Sequence, residues 1–423
     1  MGRTARDHRD MPHPRPVERI ELSWKNYRLR IIAAVVFLVF GVWLLARAAV
    51  GFLGTDSGWQ TIEADSGAET NCALSFTFLY EVGAGGLSAA AEKRALVAAY
   101  TEAAVRAYRL FNAGESFEGV TNVCDLNQHP NEALTVDEAL YEAFALLEQY
   151  GDRSVYLGPV YETYDGLFFC EEDWQTVDFD PYRNPDIAAF YAGAAAYARD
   201  PESVNVELLG DGRIRLNVSE EYLAFARDNE TSRFVDFYWL TNAFIADYLA
   251  RTLTGQGYTH GALTSYDGFI RSLDSREETY ALNVYDREGQ TVYPAAVMRY
   301  QGPKSIVYLR GYPAGNQDSW RFYQMDSGDI RTVYVDTADG LCRNAADDLI
   351  CYSDTAGCAE TLLRMIPLYV TDTLRRPEFS TLAADGIYAV WPEDRVICHT
   401  DPALVLTDLY SGETASYVDC FIE

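Results

Sequence analysis

The chain predicts an α+β domain preceded by one N-terminal transmembrane helix. Three observations carry that expectation. Runs rich in β-branched and aromatic residues alternate irregularly with stretches of helical period, without a regular βα repeat. A uniform apolar run covers residues 31–53, 23 positions interrupted only by Arg47. Hydrophobic residues make up 48% of the 423, enough for a sizeable core rather than a disordered chain.

About 20 apolar residues span a bilayer, so 31–53 reads as a membrane helix, with Arg47 near one end able to snorkel to the headgroups. Ala46 and Ala48 would also suit a cleavable signal peptide, but the 30 preceding residues make a long leader and favour an uncleaved anchor. Residues 1–30 carry eight Lys/Arg and four acids, a net of +4, which leaves −33 for the rest of a chain whose formal charge is −29. Basic flanks stay cytoplasmic. The expected order is therefore a cytoplasmic basic tail (1–30), the membrane helix (31–53), a tether (54–69) and an extracytoplasmic α+β domain (70–423). Such acidity excludes a nucleic-acid binder, which needs a basic footprint.

All eight cysteines follow the apolar run: Cys72, Cys124, Cys170, Cys342, Cys351, Cys358, Cys398 and Cys420. An even number in an exported region predicts disulfides, with connectivity open; Cys342–Cys351 and Cys351–Cys358 are mutually exclusive candidates by proximity. No C-x-x-C occurs and only His129, His260 and His399 lie in this part, which argues against zinc.

The elements follow in order. Leu74 to Tyr80 reads as a strand, ending at the glycine-rich turn Gly83–Gly86. Ser88 to Phe111 is a long helix, with Leu96, Ala99, Tyr100, Ala103 and Tyr108 at helical spacing. Thr135 and Glu138 form an expected capping box, with Gly151 as the helix stop. Asn184-Pro185 opens a further helix. Gly210-Asp-Gly212 marks a hairpin. Thr241 to Leu253 is helical and stops at Gly255. Strands are expected at Val292–Tyr300, Ser305–Arg310, Arg331–Asp336 and Ile387–Trp391, and a helix over Ala356–Leu374 that Pro367 kinks.

Asp236-Phe-Tyr-Trp-Leu-Thr-Asn-Ala-Phe-Ile-Ala-Asp247 resembles the D-L-G-x-I-A-K-G-Y-x-x-D segment of the FAD:protein FMN transferases, the ApbE-type flavin transferases. Tyr238 stands at the first glycine, Asn242 at the lysine and Ala243 at the second glycine. Further segments resemble the same family in the same order. Val120 to Asn127 is similar to an early stretch ending in L-N. Ala262 to Ile270 is similar to A-L-V-N-x-G-G-[ND]-I, with Ser265 for the asparagine, Asp267 for the first glycine and Gly268 retained. Val335 to Gly340 resembles I-D-P-x-T-G and keeps Asp336 and Gly340, while Val333 stands where the family has a histidine. Ala359 to Met365 resembles A-D-A-L-A-T-A.

The resemblance implies an ApbE-like fold, with Asp236, Asn242 and Asp336 at family catalytic positions. It places Tyr238, Ser265, Asp267, Gly268 and Gly340 at flavin-binding ones. Its magnesium ligands, the aspartate and threonine of A-D-x-x-x-T, correspond to Glu360 and Arg364. Magnesium takes oxygen ligands in near-octahedral geometry, and a guanidinium offers no acceptor. An i,i+4 ion pair between Glu360 and Arg364 is therefore expected instead. Tyr238 and Trp239 are expected to fill core where FAD would lie, and Asp236 and Asp247 to serve helix boundaries or the surface.

These readings lead to a membrane-anchored, catalytically degenerate flavin transferase homologue that acts by binding, with no cofactor expected. Its partners would be the membrane and an exported redox protein or flavoprotein. The alternative is an active enzyme that uses FAD and Mg²⁺, with Glu360 on the metal, to flavinylate exported proteins. A third reading is a disulfide-stapled surface domain without ligand.

Overall fold

The computed structural model describes residues 57–65, 72–84, 88–315 and 317–422. The basic tail and the apolar run 31–53 lie outside the described residues, and no described helix is long and apolar enough to cross a membrane. Part of the expected tether is ordered. Residues Gly58–Ile62 form strand β1, which pairs antiparallel with β2 (Phe76–Val82) and buries Ile62. The polar stretch around it hides a short Trp-Gln-Thr-Ile run whose β-branched end packs on the core.

Ser88 accepts a hydrogen bond from the Ala91 N–H and opens helix α1 (Ala89–Phe111), which buries Leu96, Ala99, Tyr100, Ala103 and Ala107 along one stripe. Helix α2 (Val123–Gln128) and strand β3 (Ala133–Thr135) follow. Thr135 therefore ends a strand rather than capping a helix. Asp137 caps α3 (Glu138–Tyr150) instead, accepting from the Ala139 N–H, and Gly151 ends it at φ 63°. The expected capping box is absent and the helix start is displaced by two residues, because Thr135 is drawn into pairing with Arg213.

Next come α4 (Gly158–Tyr164), α5 (Pro185–Arg199, capped by Asn184) and the hairpin of β4 (Val204–Gly210) and β5 (Arg213–Val218). Helix α6 (Glu220–Asp228) precedes α7 (Thr241–Gly255). The chain then becomes largely extended, through β6 (Gly261–Ser265), β7 (Phe269–Ser272), β8 (Thr279–Glu288), β9 (Thr291–Gln301) and β10 (Lys304–Arg310). Short strands β11 (Phe322–Gln324) and β12 (Ile330–Thr332) pair with each other. The strand expected over Arg331–Asp336 stops at Thr332, since Val335 makes only an isolated bridge to Cys342. Strand β13 (Asp348–Ser353) leads into α8 (Cys358–Tyr369), with Pro367 in its last turn, and α9 (Pro377–Ala384). The remaining strands are β14 (Ile387–Glu393), β15 (Val396–His399), β16 (Val405–Thr407) and β17 (Val418–Phe421).

Among the described residues one nine-stranded sheet has the order β1-β2-β6-β7-β10-β13-β14-β15-β17, antiparallel except for the last pair. Both of its faces are covered. Along β10, Val307 and Leu309 join the larger core under the helices, while Ile306 and Tyr308 join a smaller core under the β16-β9-β8 sheet. Period-two alternation thus sends successive residues into two different cores, which is why β10 and β13 read as continuous apolar runs. The α+β expectation holds.

All eight cysteines are free in this structure, so none of the expected disulfides is present in it. Cys342, Cys351 and Cys358 all lie in the larger core without bonding one another, and the Cys358 thiol at the start of α8 donates to the Ile270 and Ile306 carbonyls.

Candidate functional site

The segment before α7 is set by Asn127. Its buried side chain accepts from the Phe234 and Val235 N–H groups, both at 2.9 Å, and donates to the Val235 carbonyl at 2.8 Å. Asp236 follows, 7% exposed, accepting from the Tyr238 N–H at 2.8 Å and pairing with Arg233 at 3.2 Å. Burial raises its pKa, opposed by those two partners.

Tyr238 sits at φ 43°, left-handed backbone that glycine adopts freely and a tyrosine rarely. A bulky residue thus occupies a turn that favours glycine, at the position where the resembling segment has one. Two contacts offset the strain: the Tyr238 ring stacks on Tyr161 at 4.6 Å, and its hydroxyl donates to Asp165 at 3.0 Å. Trp239 is buried edge-on to Tyr334 at 5.2 Å. Trp239 fills core as expected, while Tyr238 is half-buried and also lines a cavity.

That cavity, about 400 Å³, is bordered by Tyr108, Phe111, Arg233, Asp236, Tyr238, Thr241, Asn242 and Trp320. Asn242 does not face it alone: its amide donates to the Asp267 carboxylate at 2.9 Å. Asn242 and Asp267 both depart from the resembling motifs, and they depart toward each other. Asp267 is 4% exposed; its carbonyl accepts from the buried Arg321 at 2.9 Å. Asp267 Oδ1 and Arg321 Nε and Nη2 make no hydrogen bond with a described residue, and the guanidinium lies 5.4 Å over the Tyr334 ring.

Ser265 and Gly268 shape the turn that presents Asp267. The Ser265 hydroxyl accepts from the Phe269 N–H at 2.8 Å. At Gly268, φ is 97° and a Cβ would lie 2.0 Å from the Tyr308 carbonyl oxygen, so only glycine fits.

Asp247, at the far end of the Asp236–Asp247 segment, caps a different helix. It accepts from the Cys358 and Ala359 N–H groups at the start of α8, both at 2.9 Å, and pairs with Arg271 at 3.5 Å. A carboxylate suits the positive end of a helix dipole. Gly357 makes room, since a Cβ there would lie 2.3 Å from Asp247 Oδ2.

One turn into α8, the expected Glu360–Arg364 pair is absent. Glu360 accepts from the Tyr150 hydroxyl at 2.5 Å, and Arg364 pairs with Asp385 at the end of α9. Each side chain finds a partner on a neighbouring helix before it finds the other. The donor set does not fit Mg²⁺: one carboxylate already hydrogen-bonded, with a permanent cation a turn away.

Asp336 and Gly340 belong to a loop held by Arg343, whose guanidinium pairs with Asp336, Asp339 and Asp372. Gly340 packs against Tyr191, where a Cβ would lie 2.8 Å away. Asp336 and Tyr150 border a second cavity of about 610 Å³, apart from the one beside Asn242. The sequence-matched positions are therefore split: Asp236, Tyr238 and Asn242 border one cavity, Asp336 another, and Ser265, Gly268 and Gly340 serve the backbone. Arg321, Asp165 and Tyr161 had no signal of period or motif and emerge only from packing.

No protein-family model and no curated protein matches the chain. Among solved structures it is similar to the ApbE protein of Thermotoga maritima, with 12% identity and a TM-score of 0.53, over 84% of this chain and 97% of that one. It is also similar to the flavin transferase ApbE of Vibrio cholerae, with 11% identity and a TM-score of 0.51, over 84% and 98%. At such identities the likeness establishes the fold: the domain has the ApbE fold.

Proposed function

We propose that this chain is a flavin-transferase homologue that has lost metal-dependent transfer and acts by binding, through an exported redox protein or flavoprotein or a ligand of its remodelled cleft. The supporting observation is the engagement of Glu360 by Tyr150, with Arg364 directed to Asp385. The hydrogen bond from the Asn242 amide to Asp267 engages that side chain at the start of α7, where a nucleotide would meet the helix N-terminus. In the same reading, residues 31–53 anchor the chain and residues 70–423 lie outside the cytoplasm. Protease added to intact cells should digest that domain; full protection of it would overturn the topology.

The competing reading is an active Mg²⁺-dependent FAD:protein FMN transferase. It is favoured by one observation, the cavity that remains beside Asp236 and Asn242. Incubating the full chain with FAD, Mg²⁺ and a protein bearing a threonine acceptor decides between them. The expected result is no covalent fluorescent adduct. An adduct would establish the enzyme and sink the binding reading.

A further inference from the structure

Cys398 and Cys420 are the two cysteines that stand directly opposite each other in a ladder. They are register partners in the parallel pair of β15 and β17. Neighbouring strands lie about 4.7–4.9 Å apart, inside the range of roughly 4.4–6.8 Å between Cα atoms over which a disulfide closes. Direct partners in a ladder project to the same face, so the two Cβ atoms lie on one side of the sheet.

Their surroundings divide the labour. Cys398 is buried against the larger core, and Cys420 is exposed on the edge strand, all four of whose residues are exposed. Burial, then Glu393 and then the facing Cys420 thiol push the Cys398 thiol up to about 11. The accessible sulfur is Cys420, and the shielded one lies behind it. Among the described residues no other cysteine has a cysteine as its ladder partner; Cys351, for example, faces Val307 and Ala389 across its two ladders.

We propose that Cys398 and Cys420 are an oxidisable dithiol that closes to a cross-strand disulfide when the chain meets a small disulfide oxidant such as glutathione disulfide. The Cys420 thiolate attacks one sulfur of the oxidant, releasing one glutathione thiolate and forming a mixed disulfide. Cys398 then gives up its proton and displaces the second glutathione. Two S–H bonds are lost and one S–S bond forms; two electrons and two protons pass to the oxidant, which leaves as two thiols. The bond ties an edge strand to its one neighbour in the sheet among the described residues. It also fixes the approach to β17, where Ala415 and Tyr417 close the smaller core and the Tyr417 hydroxyl donates to Asp286 at 2.8 Å. This inference stands apart from the functional reading and survives its failure.

The test uses the full chain, purified reduced and then treated with glutathione disulfide. Counting free thiols by alkylation should show a loss of two from eight, and peptide mapping should find Cys398 linked to Cys420. Cys420→Ser, at an exposed position, should lose none. Cys398→Ser should stop at a stable glutathione adduct on Cys420, because the resolving thiol is gone. A wild-type chain that halts at that adduct, keeps both thiols free, or links Cys420 to another cysteine would overturn the proposal.

Discussion

The entry to α7 and the start of α8 have both departed from the pattern they resemble, yet they departed in different ways. At α7 a left-handed turn leads into the helix and the side chains close on one another. Tyr238 occupies a left-handed turn, and Asn242 meets Asp267 across to the next loop. At α8 the helix start is kept by the Asp247 cap, but Glu360 and Arg364 turn to separate neighbours, Tyr150 and Asp385. Backbone geometry and side-chain roles are set by different things: packing enforces Gly268 and Gly357, whereas Asn242, Glu360 and Arg364 take their roles from the neighbours they meet.

Substitutions can break that contrast. The largest effect is expected for Gly268→Ala, which forces a Cβ into the Tyr308 carbonyl at positive φ. A loss of about 3 kcal/mol or more in denaturant unfolding is expected; a loss under a tenth of that would mean the turn is not enforced. Asp247→Ala comes next, removing the acceptor of two N–H groups and leaving Arg271 without its carboxylate. About 2 kcal/mol should be lost, and an unchanged unfolding midpoint would remove Asp247 as the link between the two helices.

The sharpest comparison is a pair of double-mutant cycles. Asn242→Ala with Asp267→Ala should show a coupling of about 1 kcal/mol, since Asp267 is buried. Arg364→Ala with Asp385→Ala should show a coupling below about 0.5 kcal/mol, because Asp385 is half-exposed and solvent screens the pair. Equal couplings would erase the distinction between a buried cross-loop contact and a side chain that has merely found a neighbour.

Much of the fold was legible. Ser88, Asn184 and Gly151 act through hydrogen bonds and dihedrals within a few residues, so local sequence was enough to place α1, α5 and the end of α3. The errors arose where a distant strand intervened. Thr135 is pulled into β3 by Arg213, and Gly58–Ile62 is pulled into the sheet by β2. The candidate site was legible in its positions but not in its contacts. Asp236, Tyr238 and Asn242 do border one cavity, yet the partners that define their roles, Tyr161, Asp165, Asp267 and Arg321, come from elsewhere in the chain.

By itself, then, the sequence determined the α+β class, the starts of α1 and α5, the end of α3 and the resemblance in order of segments, all of which rest on period, local capping and residue type. Only the tertiary structure decided that Asp247 caps α8, that Glu360 belongs to Tyr150, and that Cys398 faces Cys420 rather than any nearer cysteine pairing. Those facts depend on strand register and helix packing across long separations. A hydrogen bond or a sulfur pair over such distances leaves no periodic trace in the chain that makes it.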